Sequence, residues 1–82
     1  MFKVIKTAEQ VEQERIEQLT ENARAKRDRL LAQTDWVVTR ATETSEPVPA
    51  EWATYRQALR DVPQQSGFPE NIDWPVHPEE TE

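Results

Sequence analysis

The sequence predicts an all-α protein in which one long helix packs against a short antiparallel helix, forming a helical hairpin. Three observations lead to this fold class. Residues 7–46 contain neither glycine nor proline, and large apolar residues recur at helical spacing between Val48 and Val62. After the single glycine, Gly67, three prolines exclude a further helix and favour an extended strap. The 82 residues leave room for one domain, which we divide into an arm, the long helix, a connector, the second helix and a proline-rich strap with its tail, at residues 1–6, 7–33, 34–48, 49–62 and 63–82.

The composition places the chain near the lower limit for independent folding. Leu, Ile, Val and Phe together number 16, and the net charge is -6. The acidic balance argues against a nucleic-acid binder, because phosphate contacts are made by Lys and Arg. No apolar run is long enough for a membrane span or a secretion signal. The absence of cysteine excludes disulfides and thiolate metal sites, and it fits a reducing compartment such as the cytoplasm.

The amino-terminal arm allows two interpretations. Phe2 and Val4 fall on one side of an extended chain, which is the spacing of a short strand. Such a strand would pair with the sheet edge of a partner protein, whereas without a partner the segment would be a frayed terminus. The sequence leaves both interpretations open.

The long helix is predicted from about Ala8 to about Gln33. Thr7 and Gln10 have the spacing of a capping box, which satisfies free backbone N–H groups at a helix start. One face should be buried and the other solvated, although two charged residues interrupt the apolar stripe. The stripe consists of Ala8, Ile16, Leu19, Ala23 and Leu30.

Charge is ordered along this helix, and its length exceeds what the rest of the chain can cover. Glutamates fill its first half and basic residues its second half, an order that complements the helix dipole and favours a solvated face over a binding patch. At 1.5 Å per residue the helix runs about 40 Å. The second helix can shield only residues 19–31. The first half is therefore solvated, self-associated or bound to a partner, and a homo-oligomer is one of the options left open.

The connector is predicted to be irregular, because Thr, Ser and Glu dominate residues 37–48. Trp36 is expected at the corner between the two helices, where its indole would close one end of a small core. Val37 and Val38 are the connector residues expected to pack.

The second helix carries the most regular apolar pattern in the chain. Pro49 suits its first position, and Pro63 fixes its end. Arg56 and Arg60 run beside the buried face and are expected to reach acidic groups on the long helix or the connector. The buried face is predicted to consist of Trp52, Tyr55, Leu59 and Val62.

The strap carries more apolar residues than an unstructured tail needs. Ile72, Trp74 and Val76 alternate, so an extended chain would press all three onto one surface. That surface is either the protein's own helix pair or a partner, and we favour the helix pair because so small a core lacks other covering. His77 is expected in a solvated, acidic tail.

No catalytic or metal-binding constellation is present in the sequence. The one histidine, His77, has no partnered Ser or Cys nucleophile. Together with Glu79 and Glu80 it does not provide the three or four positioned ligands of a metal site. A single glycine cannot form a phosphate-binding loop. The sequence therefore predicts a protein that is not an enzyme and uses no cofactor.

Two stretches of the chain carry more specific motifs. The first is RDRLLAQTDW at Arg27–Trp36, and the second is EPVPAEWATYRQALRDVPQQSGFPENIDWP at Glu46–Pro75. Together they resemble the phage tail assembly chaperone family, whose members carry R-D-x-L-L-x-x-T-D-W, a variable connector, W-x-x-Y-R-Q-A-L-R-D, then G-F-P and a final W-P. The matching residues are Arg27, Asp28, Leu30, Leu31, Thr34, Asp35, Trp36, Trp52, Tyr55, Arg56, Gln57, Ala58, Leu59, Arg60, Asp61, Gly67, Phe68, Pro69, Trp74 and Pro75. Residues 1–26 carry none of these motifs.

The resemblance implies a non-enzymatic phage or prophage protein that helps a tail component assemble, with a tail fibre as the expected client. Its physical task would be to cover apolar or strand-edge surface until assembly buries that surface. It would act in the host cytoplasm during phage assembly. Two alternatives remain: a structural virion component that stays bound to the tail fibre or tail tip, and a helical interaction module with no phage role.

Two groups of residues are the candidates for function and for packing. The client is expected to bind the arm and the first half of the long helix, where an amphipathic face lacks an internal partner. The residues of that surface are Phe2, Val4, Ile16 and Leu19. Core packing is the expected role of Leu30, Trp36, Trp52, Tyr55, Leu59, Phe68 and Trp74.

Overall fold

The computed structural model describes residues 5–78, which are mostly helical. Helix α1 spans Ala8–Gln33, α2 spans Asp35–Thr44, α3 spans Ala50–Arg60, and a short 3-10 helix spans Val62–Gln64. No strand occurs among these residues, so the all-α prediction is confirmed for the described part of the chain. The predicted amino-terminal strand rests on Phe2 and Val4, which lie outside the described residues.

Helix α1 begins and ends where the sequence predicts. The Thr7 hydroxyl accepts a hydrogen bond from the Gln10 N–H at 3.1 Å, and the Thr7 N–H donates to the Gln10 side chain at 2.9 Å. The capping box is therefore complete, and it fixes the first turn. The predicted stripe is buried at Ala23 and half-buried at Leu30, whereas Ala8 at the helix start is exposed.

The prediction of an irregular connector is wrong over most of its length, because residues 35–44 form α2. Only Thr34 separates α1 from α2, so the two make one long helix with a bend at a single residue. The Thr34 N–H and hydroxyl both donate to the Leu31 carbonyl, at 3.0 and 2.9 Å, and the Thr34 carbonyl accepts the Val37 N–H at 3.1 Å. These hydrogen bonds join residues three positions apart, as in a 3-10 helix. They give the N–H, hydroxyl and carbonyl groups of the fully buried Thr34 partners at the bend.

Helix α2 has an apolar side of its own. Val37 and Ala41, four residues apart, are both buried, whereas Val38 is exposed, so of the two valines expected to pack only Val37 does. The helix ends at Ser45, whose φ of 56° and ψ of 34° are left-handed. A helix end of this kind turns the chain sharply into the segment before α3.

Helix α3 packs against α1 and α2 in the antiparallel sense. Its first turn lies beside α2, where the Trp52 and Trp36 rings meet edge-on with centroids 5.6 Å apart. Its middle lies beside the end of α1, where Arg56 Nη1 is 3.1 Å from the Leu31 carbonyl. The earlier residue of α3, Trp52, contacts the later residue Trp36, and the later residue Arg56 contacts the earlier residue Leu31, so α3 runs antiparallel to α1 and α2. The 3-10 helix after α3 then buries Val62 completely.

The core lies where the three helices meet. Its buried residues are Val37, Trp52, Tyr55 and Leu59, against which Leu30, Leu31, Val48 and Trp74 pack while partly exposed. Trp36 does not take the closing position that the sequence predicts, because 47% of it is exposed. It covers one edge of Trp52 instead, since α2 continues past it and carries Val37 into the core.

The C-terminal segment does not run as a single extended strap. Residues 65–73 form a closed loop, in which the Gln65 side-chain amide donates to the Asp73 carbonyl at 2.8 Å and accepts the Asp73 N–H at 2.9 Å. Inside this loop the Gly67 carbonyl accepts the Asn71 N–H at 2.7 Å. A Cβ at Gly67 would collide with the Asn71 carbonyl oxygen, so this position requires glycine.

After the loop the chain returns to the helices, but not by the predicted alternation. Trp74 packs against the core, whereas Val76 is 62% exposed, so the prediction that both press on one surface is wrong for Val76. The predicted solvated position of His77 is also wrong. Its ring lies edge-on against Trp52 and Tyr55, with centroids 4.9 and 5.4 Å away. His77 therefore supplies covering that the sequence pattern assigned to Val76.

Candidate partner-binding surfaces

Residues 5–78 show no grouping of His, Cys, Asp and Glu side chains that could hold a metal ion. All buried side-chain nitrogen and oxygen atoms in this range have hydrogen-bond partners. None of the described helices combines the length and the hydropathy that crossing a bilayer requires. The candidate functional features are two exposed apolar surfaces, one near each end of a molecule 63 Å long.

The amino-terminal surface consists of Ile5, Val11, Ile16 and Leu19. Ile5 is 88% exposed and Val11 is 52% exposed, so both present most or half of an aliphatic side chain to solvent. Ile16 and Leu19 are half-buried. Of the client-binding residues that the sequence predicts, the structure therefore places Ile16 and Leu19 one turn apart on α1, while Phe2 and Val4 lie outside the described residues.

The loop at residues 65–73 covers more of α1 than the sequence predicts. The Glu70 carboxylate is 2.7 Å from Arg15 Nη2, which also contacts the Glu12 carboxylate at 2.5 Å. The hydrogen bond from Arg15 lowers the pKa of Glu12, and the two carboxylates raise the pKa of Arg15. The second helix was expected to shield only residues 19–31, and the loop adds a contact with α1 outside that range, at Arg15.

A second surface, the α2–α3 groove, lies at the other end of the molecule. This cavity of about 240 Å³ is smaller than a typical small-molecule site and suits one or two side chains. Its lining is aromatic, proline-rich and aliphatic with two charged residues, and consists of Trp36, Val37, Arg40, Ala41, Thr44, Glu46, Pro47, Pro49 and Trp52. Sequence analysis missed the groove because α2 forms one side of it. The spacing of Val37 and Ala41 was the available signal.

Arg56 joins the two sequence motifs. Its Nη1 donates to the Leu31 carbonyl at 3.1 Å and to the Thr34 hydroxyl at 2.7 Å, and it lies 3.1 Å from Asp35 Oδ1. Only 11% of the Arg56 side chain is exposed. The predicted contact with an acidic group is confirmed for Arg56, whereas Arg60 hydrogen-bonds within α3 instead.

The remaining motif residues occupy packing positions. Leu59 has no exposed surface, and Tyr55 is buried beside it in the core. Phe68 is half-buried in the loop at residues 65–73. Trp74 packs against the core with one face and carries the Lys26 ammonium 4.4 Å from its ring centroid. Tyr55 and Leu59 therefore lie inside the core, and Trp74 packs against it.

Comparison with known proteins gives one match. A family model described as phage tail assembly chaperone protein matches residues 20–79, which is most of the chain. No curated protein and no solved structure matches with significance. The matched range contains the second half of α1, all of α2 and α3, and the loop at residues 65–73. It leaves out all four residues of the amino-terminal surface.

Proposed function

Because the chain belongs to the phage tail assembly chaperone family, we propose that it binds the tail-fibre protein of its phage before the fibre assembles and releases it afterwards. Family membership implies a phage tail protein as partner, and the choice of the fibre is our proposal. The chaperone would cover apolar or strand-edge surface that otherwise aggregates in the host cytoplasm. A protein that stayed in the virion would be a structural component instead, and mass spectrometry of purified virions distinguishes the two.

The observation that supports a client-binding role is the division of the chain at about residue 20. The family match begins there and includes the whole core, whereas the segment before it presents exposed Ile5 and Val11. Chaperones that share a folded body but assist different tail proteins need a contact surface that differs between them. The segment before residue 20 lies outside the matched range, and for this reason we assign the differing contact surface to it.

We assign client binding to Phe2, Val4, Ile16 and Leu19. An amphipathic helix with an exposed apolar edge is a ligand for a groove, and an extended arm can pair with a strand edge. Ile16 and Leu19 are half-buried, so each keeps part of its surface exposed. The glutamates that flank these residues would help to keep the complex soluble.

Co-expression with the tail-fibre protein tests this assignment. The wild-type chain should raise the yield of soluble fibre. The double variant Ile16→Asp, Leu19→Asp should lose most of that effect, because two carboxylates would have to be desolvated at the interface. A second variant lacking residues 1–4 removes Phe2 and Val4 but keeps the capping box, and it should lose the effect as well.

The matched control carries the same added charge at exposed positions of α1. The Gln13→Asp, Asn22→Asp variant should rescue the fibre as well as wild type does, and circular dichroism should show equal helix content in all variants. Full rescue by both test variants would mean that the client binds a different surface of the chain. A wild-type chain that leaves the yield of soluble fibre unchanged would rule out the fibre as client.

A further inference from the structure

The charges on α1 are separated by sign along the helix. Five glutamates and one arginine lie from Glu9 to Glu21, and four basic residues and one aspartate lie from Arg24 to Arg29. Within the described residues, Glu17, Glu21, Arg24 and Arg29 form no ion pair, and all four are exposed. The surface of α1 is therefore negative in its first part and positive in its second part, and these four side chains have no ion-pair partner within the described residues.

The helix dipole does not account for this order. Its effect falls off within the first and last turns of a helix. Only Glu9 lies in the first turn of α1, and no basic residue lies in its last turn. The helix dipole therefore does not explain the order of the charges between Glu12 and Arg29.

One exposed face of α1 carries Glu21 and Arg29 between two apolar ends. Residues three or four positions apart lie on the same side of a helix. From the amino-terminal end, such a series of exposed positions is Val11, Glu14, Gln18, Glu21, Ala25 and Arg29. It continues through Ala32 to Trp36 on α2, and Trp36 is 47% exposed. The buried Ala23 and the half-buried Leu30 lie on a different side, so this face points away from the core.

We propose that this face binds a second copy of the chain in an antiparallel dimer whose two-fold axis lies beside Ala25. Antiparallel pairing sets the acidic half of each copy against the basic half of the other, whereas parallel pairing would oppose like charges. Glu21 and Arg29 are each four residues from Ala25. In this register Glu21 of each copy faces Arg29 of the other.

The same register brings the apolar ends together. Val11 lies 14 residues before Ala25 and Trp36 lies 11 residues after it, so Val11 of one copy comes within one helical turn of Trp36 of the other. The α2–α3 groove beside Trp36 has room for an aliphatic side chain. Arg40, which lines the groove and forms no ion pair among the described residues, falls opposite the turn that carries Glu9.

The dimer uses Val11 of the amino-terminal surface but neither Ile16 nor Leu19, the described residues to which client binding is assigned. Ile16 and Leu19 are half-buried and do not belong to the series of exposed positions that forms the dimer face. Light scattering or sedimentation therefore reports on the dimer alone, with no tail protein present. Wild type should show twice the chain mass of 9.6 kDa. The dimer should weaken as salt is raised, because the exposed charges are screened.

Charge reversal provides the decisive variants. Glu21→Lys and Arg29→Glu should each be monomeric, because each variant opposes like charges at both contacts between residue 21 and residue 29 of the homodimer. An equimolar mixture of the two should form a heterodimer, since both of these contacts then join opposite charges. The control Glu43→Lys makes the same charge change as Glu21→Lys at an exposed site away from α1 and should remain dimeric.

A single cysteine tests the position of the axis, because the natural chain contains none. The Ala25→Cys variant should form a disulfide-linked dimer under mild oxidation, since the two copies of residue 25 approach each other at the axis. In the control Ala53→Cys the cysteine lies exposed on α3, away from the axis. This variant should run as a monomer on a denaturing gel without reductant. A monomeric wild type, or a mixture of charge-reversed variants that stays monomeric, would overturn the proposal.

Discussion

At the scale of single residues, Arg56 explains why two separated motifs belong together. The bend between α1 and α2 leaves the Leu31 carbonyl and the Thr34 hydroxyl facing α3, and the Arg56 guanidinium donates to both. Both hydrogen bonds are made by Nη1, and the Asp35 carboxylate lies 3.1 Å from the same atom, so one nitrogen contacts the end of α1, the bend and the start of α2.

Trp52 is the residue whose loss should cost most stability. It is buried, and the rings of Trp36, Tyr55 and His77 meet its edges or faces. We expect Trp52→Ala to lower the free energy of unfolding by about 3–5 kcal/mol, because the cavity cannot refill. In a domain this small that is near the whole stability. Thermal melting followed by circular dichroism measures the change.

Trp36→Ala is the matched control, since it removes the same side chain from a half-exposed site. Only its edge contact with Trp52 is lost, so the cost should be about 1 kcal/mol. Equal losses for the two variants would contradict the assignment of Trp52 to the core. The sequence could not rank these two tryptophans, because both belong to family motifs and their burial depends on where α2 runs.

At the scale of elements, the termini of α1 were predictable and α2 was not. Thr7 and Gln10 act within one turn, so their capping box can be read from spacing alone. Helix α2 has only two buried residues, Val37 and Ala41, and its three threonines and one glutamate indicate a loop. Its helical state depends on packing against α3 and on the contact between Asp35 and Arg56, which are distant in the sequence.

The end of α2 gives a prediction that belongs to this scale. Ser45 has the left-handed backbone that glycine adopts without a steric penalty and other residues adopt at a cost. Ser45→Gly should therefore stabilise the fold by about 0.5–1 kcal/mol, after the larger unfolded-state entropy of glycine is included. Chemical denaturation measures this gain. Ser45→Ala keeps the penalty and should not stabilise, and a gain from alanine would contradict the explanation.

At the scale of the whole molecule, the sequence predicted that helices pack and that the C-terminal segment covers them, but not the path of that segment. The loop at residues 65–73 depends on a side-chain amide, that of Gln65, binding both backbone groups of Asp73. The spacing of apolar residues in the sequence does not indicate a hydrogen bond of this kind. The candidate client surface could be proposed from the sequence, because it depends only on the length of α1 that α3 cannot cover. The α2–α3 groove could not be predicted, because α2 forms one of its sides and was itself not predicted.

The C-terminal segment should hold the helices together rather than add helix of its own. Ending the chain after Val62 removes Trp74 from the core, His77 from Trp52, and the Glu70 contact with Arg15. We expect helix content to be largely retained, because α1 keeps its capping box and α3 keeps its buried face. Backbone amides in α1 and α3 should nevertheless exchange with solvent faster, since the helices separate more often.

Hydrogen exchange measured by mass spectrometry separates this expectation from two others. A chain ended after Pro78 keeps Trp74, His77 and the loop, so its helices should exchange as slowly as those of the full chain. Unchanged exchange in the chain that ends after Val62 would mean that the C-terminal segment contributes nothing to helix packing and is available to a partner. Complete loss of helix would mean that α3 cannot hold α1 without Trp74, because Leu30 and Leu31 are only partly buried. We expect a result between these two outcomes: helix content is retained, and the backbone amides of α1 and α3 exchange faster than in the full chain.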